Sequence, residues 1–284
     1  MKHVMIIALA LLCCVGAFAE TVPEDPLAAY ALEQDAPTEI DLDGDGVPEG
    51  VRWTIAEVGE YEWNLVVTLT LSDGSSVDYP VQLEQGGVYL ADLDSDGRTE
   101  ILVTGDEASD DYITVCLKLT DGALAPCPFP NADRGDDNEG ERDYGYGLLV
   151  GIDGDTVTLS GSQDVLGTWF ARRTFRLAEG RFAFADGGEW VREVDLTSQG
   201  LWEYGALTLT RPLDYTAPDG AAATLPAGEK LVITASDKRT YARFVTRDGL
   251  EGTLAIRPDT ERGWGMLVNG EGEDTWFEYV PYAD

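Results

Sequence analysis

The amino-acid sequence predicts an all-β protein in two parts, and three observations carry that expectation. From residue 38 onward, apolar and polar residues alternate at the two-residue period of half-buried strands, in short runs rich in Val, Ile, Thr, Tyr and Trp. Gly-containing turns punctuate those runs, and no helical period appears outside the N-terminal leader and the short stretch from Pro26 to Leu32. A block of acidic loop, strand and hairpin recurs down to about residue 194, after which five short strands with one long early loop suggest a small barrel.

The chain opens with Lys2 and His3, an apolar stretch from Val4 to Val15, and Ala17-Phe18-Ala19 before Glu20. This is the form of a secretory signal, so residues 1–19 are expected to be a signal peptide and the mature chain is expected to be exported. Cys13 and Cys14 raise lipidation as an alternative, although Leu11 and Leu12 lack the small residue expected just ahead of a lipidated cysteine. No later stretch approaches the roughly 20 apolar residues of a membrane span. The expected localisation is therefore secreted, extracellular or associated with the cell envelope. Residues 20–37 read as an extended linker with one possible helical turn.

Composition excludes several function classes. His3 is the only histidine, and it leaves with the leader, so no Ser-His-Asp or Cys-His arrangement and no imidazole metal site is available. Two mature cysteines cannot form a four-thiolate site. The formal net charge of −34 cannot supply the basic patches that nucleic acid or an anionic membrane surface requires. An apolar content of 44% supports globular folding.

The first repeat begins with Asp41, Asp43, Asp45, Gly46 and Glu49, followed at once by the strand-like Val51 to Ile55. The same nonapeptide pattern returns about 50 residues later as Asp92, Asp94, Asp96, Gly97 and Glu100 before Ile101 to Thr104. Carboxylates crowded in one turn repel by about 1 kcal/mol per pair in water and more where solvent is excluded, so such a turn favours a cation. Calcium (Ca2+) fits, because it takes six to eight oxygens. Positions 1, 3, 5 and 9 supply side chains, the carbonyl of Val47 or Arg98 supplies a further oxygen, and Gly permits the bend. An EF-hand would need a bidentate Glu at position 12 and flanking helices; here Arg52 or Val103 stands there, between strands.

Next in each unit comes a hairpin: Leu65 to Gly74 aligns without gaps on Ile113 to Gly122, both ending in Asp-Gly. If Asp121 and Gly122 are the central turn residues, Cys116 lies opposite Cys127. Export and matched positions predict a disulfide there, the alternative being two free buried thiols. Asp106-Glu107 and Asp110-Asp111 are candidate additional ligands or solvated loop charges, and Asp133 to Asp143 reads as a charged surface loop. A third, degenerate unit follows, with Asp153-Gly154-Asp155 at the loop position and Thr174 to Gly180 as the hairpin; its remaining carboxylates are missing. From Leu201 the second part begins. Four of its five strands are expected at Ala206 to Thr210, Lys230 to Thr234, Tyr241 to Thr246 and Leu250 to Ile256, with aromatics around them. Trp202, Tyr204, Trp264 and Trp276 are the candidate ligand-binding residues, since rings with polar tips suit sugars and peptides.

The acidic loops with their trailing strands resemble the FG-GAP/VCBS family of calcium-loop repeats found in integrin-type β-propellers and many secreted bacterial proteins. The resemblance covers residues 38 to 125 and extends more weakly to about 190. It implies calcium at Asp41, Asp43, Asp45, Glu49, Asp92, Asp94, Asp96 and Glu100. With about three units rather than the four or more of a closed ring, it implies a partial β-propeller-like repeat domain over residues 38–194. Residues 195–284 resemble a bacterial Src-homology-3-like barrel, on Pro218-Asp219-Gly220, Leu225-Pro226-Ala227-Gly228 and Tyr241 to Gly252. Thr253-Leu254 replaces the aromatic usual in the final strand of that family. Such modules attach exported bacterial proteins to cell-wall peptides or glycans.

The function these readings predict is an exported, non-enzymatic calcium-binding protein that contacts a cell-wall peptide or glycan, or another exported protein. The alternatives are a carboxylate-based secreted hydrolase of glycosidase type, and a structural or adhesive subunit whose open sheet edges a partner completes.

Overall fold

The computed structural model describes residues 26–60, 62–109, 111–130 and 140–283. The expected leader, the start of the linker, Asp110 and residues 131–139, which include most of the Asp133 to Asp143 charged stretch, lie outside them. Among the described residues the chain is all-β with antiparallel pairing, and no helix is long and apolar enough to cross a membrane.

The repeat becomes three consecutive four-stranded meanders. The first runs Thr38–Ile40, Glu49–Gly59, Glu62–Thr70 and Ser76–Gln82. The second runs Gln85–Ala91, Glu100–Asp106, Tyr112–Thr120 and Ala123–Pro126, and the third Leu148–Asp153, Thr156–Asp164, Thr168–Ala178 and Arg181–Phe184. Each acidic loop connects the first two strands of its meander: Ile40 pairs with Glu49, and Ala91 with Glu100. In the third, Asp153 pairs directly with Thr156, so two residues turn the chain where the others use a loop. The hairpin ends also differ. Asp121 and Gly122, both at positive φ, form the two-residue turn that the right-handed strand twist favours. In the first meander Thr70 pairs with Ser76, leaving a longer connection in which Asp73 accepts the Ser75 N–H.

Side-chain alternation then decides the packing. Leu65, Val67 and Leu69 of the first sheet are fully buried against Ile101, Val103, Ile113, Val115 and Leu117 of the second. The opposite face of the second sheet presents Leu102 and Cys116 to Leu149, Val157, Leu159 and Phe175 of the third meander. Every residue of Glu100–Asp106 is consequently buried. The segment expected as an extended linker is docked instead, over its described part: Leu27 is buried, Leu32 N–H bonds to the Val88 carbonyl, and the Trp53 indole N–H to the Leu32 carbonyl. Its Pro26 end is a turn closed by Tyr30 N–H on Leu27 O.

The compositional change near Val194 is not a break in the fold. Trp190–Val191 pairs on one side with Arg172 of the third meander and on the other with Ala235 and Ser236, joining both parts in one 13-stranded sheet. Val165, Leu166, Trp169 and Trp190 lie in the same core as Leu231, Phe244, Leu254 and Ile256. The C-terminal part contains Leu207–Thr208, Leu213–Thr216, Ala222–Leu225, Lys230–Ser236, Tyr241–Thr246, Glu251–Pro258 and Met266–Val268, and its hydrogen-bonded path stays open. The β pattern expected from Leu201 starts later, because Gln199–Tyr204 is a short helix. Ser198 caps it by accepting the Leu201 N–H, and Trp202 is its buried anchor.

The terminal strands of these open sheets are irregular. Ser76–Gln82 contains Pro80, Leu148–Asp153 shifts register between Leu149 and Gly151, and Ala222–Leu225 has four residues. Where the second and third meanders meet the C-terminal part, a cleft of about 450 Å³ opens.

Candidate metal loops and aromatic contacts

The first loop folds around its own aspartates. Asp41 accepts the N–H groups of Gly44 and Gly46, both at 2.8 Å, and Asp45 accepts the Val47 N–H at 2.7 Å. Gly44 and Gly46 take positive φ, which lets the backbone curl inward. Glu49 is buried where its strand begins and closes the loop by accepting the Leu42 N–H at 2.9 Å. Asp41, Asp43 and Asp45 each bring a carboxylate oxygen within 4.8 Å of the others, so the cluster has the geometry to hold a metal ion. Among the described residues no lysine or arginine is paired with these three.

The second loop has the same frame. Gly97 N–H reaches Asp92, Arg98 N–H reaches Asp96, and the buried Glu100 accepts the Leu93 N–H at 2.8 Å. Asp92, Asp94 and Asp96 converge in the same way. The loops lie side by side: Thr99 N–H bonds to the Leu42 carbonyl, and a Cβ on Gly44 would stand 3.1 Å from the Gly97 oxygen.

One residue separates them chemically. Lys118, on the adjacent strand, points its ammonium into the second loop, at 2.9 Å from Asp94, 2.9 Å from Asp96 and 2.8 Å from Glu100. Burial pulls the ammonium pKa down, but the bonds to Glu100, Asp94 and Asp96 outweigh it and hold Lys118 above the ordinary lysine value. Burial raises Glu100 more than its bonds from Lys118 and Leu93 lower it. Asp96 is lowered: its own desolvation is overcome by Lys118 and the Arg98 N–H. By strand register the position opposite Glu49 in the first unit is Leu71, which offers no charge. Sequence reasoning missed this lysine. The signal was a basic residue on the strand beside Glu100, facing the only carboxylate that strand buries next to the loop.

Of the remaining candidates, Val47 and Arg98 occupy position 7, both exposed, with their N–H groups bound to Asp45 and Asp96. Asp106 and Glu107 do not join either loop. Asp106 is at the far end of the Glu100–Asp106 strand, about 20 Å from Glu100 at the usual rise per residue.

Cys116 and Cys127 face each other as the register requires, with Cys127 N–H on the Cys116 carbonyl at 2.8 Å, but the expected disulfide is corrected to two free buried thiols. The pair sits at a backbone-bonded register. Burial pushes Cys116 well up, and a hydrogen bond with Cys116 lowers Cys127.

The four aromatic candidates divide evenly. Trp202 and Trp276 are core residues, with indole N–H groups on the Leu196 and Val268 carbonyls, so neither presents a face to a ligand. Tyr204 is 79% exposed and Trp264 61% exposed. Comparison with protein-family models, with curated proteins and with solved structures gives no match to this chain.

Proposed function

We propose that this chain is an exported, non-enzymatic binding protein whose repeat part is rigidified by calcium in the Asp41–Glu49 loop and whose C-terminal part contacts a cell-wall peptide or glycan, or another exported protein. The observation that supports it best is the contrast between the loops: three aspartates converge in the first with no basic partner among the described residues, whereas Lys118 fills the second. Calcium is preferred because the donor set is all oxygen, with more than four potential ligands. In this reading the three meanders are blades of an incomplete propeller, and the strands after residue 206 are a Src-homology-3-like barrel.

The test is thermal unfolding in millimolar calcium against a chelator, at matched ionic strength, with ion stoichiometry measured by equilibrium dialysis. The expected result is a raised Tm and one ion per chain, both lost in Asp43→Asn, which removes charge while keeping an acceptor. An unchanged Tm in about 5 mM calcium would sink the metal assignment; two ions per chain would sink the role given to Lys118.

A second reading, carboxylate-based hydrolysis, has one observation in its favour: Asp111 and Asp164 line the same cleft. Both are exposed, whereas a general acid at neutral pH needs an apolar surround. Chromatography of oligosaccharides incubated with the protein decides it, shortened products being the result that would establish it.

A further inference from the structure

The cleft between the repeat part and the C-terminal part has a volume within the roughly 300–1,000 Å³ range of small-ligand sites. One wall is aromatic. Trp264 presents its ring to solvent from a loop that Gly263 and Gly265 bend at positive φ, and Tyr282 meets it edge-on with ring centroids 6.3 Å apart. This wall is held rigidly. Buried Glu273 accepts both the Met266 N–H at 3.0 Å and the Tyr282 hydroxyl at 2.9 Å, tying the loop to the C-terminal tail. Asp259 N–H bonds to the Gly265 carbonyl, and Gly263 N–H to the Asp259 carbonyl. A large ring kept in water by a fixed loop is a preorganised contact surface.

The opposite wall is the polar end of Thr156–Asp164. Ser162 and Asp164 are exposed there, and Gln163 between them is 2% exposed, with an amide oxygen that finds no donor among the described residues. An unmet acceptor of this kind is costly unless a ligand or water supplies the proton.

Charge narrows the ligand. Asp111 and Asp164 on the rim oppose an anion. The cleft already carries cations of its own: Lys238, in its lining, and Arg173 lie 5.8 and 4.5 Å from the Trp190 ring centre, and Arg262 lies 6.0 Å from that of Trp264, a residue that stays 61% exposed. What remains is an uncharged molecule with an apolar face and many hydroxyls. We propose that this cleft binds an uncharged glycan segment, one sugar ring stacking on Trp264 while its hydroxyls meet Ser162, Gln163 and Asp164. The proposal rests on the reading of the chain as a binding protein, and it moves the contact site from the barrel alone to the junction; it does not depend on the metal.

The experiment titrates the full exported chain, by calorimetry and tryptophan fluorescence, with cellotetraose and chitotetraose as uncharged probes. Tetralysine and an oligouronate serve as charged probes, and each titration is run in calcium and in chelator. At least one uncharged probe is expected to bind with Kd below about 1 mM. Trp264→Ala should weaken it by about tenfold or more. Ser162→Arg, an exposed substitution that fills the cleft, should do the same, while Val58→Ala, exposed on the first meander away from the cleft, changes nothing, all with wild-type Tm. No binding of either uncharged probe by about 5 mM, binding of charged probes alone, or undiminished binding by Trp264→Ala and Ser162→Arg would overturn the proposal. A missing calcium shift with intact sugar binding would instead remove only the metal reading.

Discussion

Lys118 shows how much one side chain decides. Its ammonium faces three carboxylates at a site where it is mostly shielded from water, so removing it leaves buried like charges uncompensated. Lys118→Met is expected to cost about 3 kcal/mol in chelator. It should also raise calcium stoichiometry from one ion to two, with most of the lost stability returning in millimolar calcium; a variant that stays at one ion would show that the ammonium does not hold the place of a metal. Asp237 makes a separate prediction about pH. Its carboxylate accepts the Thr240 hydroxyl and the N–H groups of Arg239, Thr240 and Tyr241, and these bonds outweigh desolvation to hold its pKa below the ordinary aspartate value. A lowered native pKa stabilises above the unfolded value and loses that contribution as pH falls through the native one. Asp237→Ala should therefore cost roughly 1–2 kcal/mol at pH 7 and much less near pH 3, as urea unfolding at the two pH values would show; equal costs would refute it. The two acidic loops were legible in the sequence because their carboxylates lie close together in the chain. Lys118 was not, because its partners precede it by more than 15 residues and only strand register brings them together.

At the scale of elements, register and burial explain both the successes and the misses. Counting back from Asp121-Gly122 placed Cys116 opposite Cys127 correctly, since a two-residue turn leaves no slack. The Gln199–Tyr204 helix escaped notice because six residues with one buried position show no period. Two glycines mark the tightest backbone approach in the second sheet. Gly86 pairs with Gly105, and a Cβ on Gly105 would stand 2.0 Å from the Gln85 carbonyl oxygen. Gly105→Ala is expected to destabilise by about 2–3 kcal/mol, because backbone must move to admit the methyl. Urea unfolding measures it, and a loss under about 0.5 kcal/mol would mean that the strands are free to part.

For the whole molecule, the shared sheet and core predict one cooperative unfolding transition rather than two. The change in composition near Val194 suggested separable halves, because sequence registers where a pattern changes and not where packing stops. A fragment of residues 195–284 would lose Val165, Leu166, Trp169 and Trp190 from its core, so it should lack the near-ultraviolet circular dichroism of packed aromatics; a native-like spectrum from that fragment would count against the single-core description. The terminal strands noted above bear on assembly. An added strand needs a continuous row of free N–H and C=O groups, and Pro80 breaks the row on one sheet, the shift before Gly151 distorts it on another, and Ala222–Leu225 offers only a short one. Strand addition at these three edges is thereby disfavoured, which favours association of copies through side-chain faces, whose shape and charge limit it to defined partners.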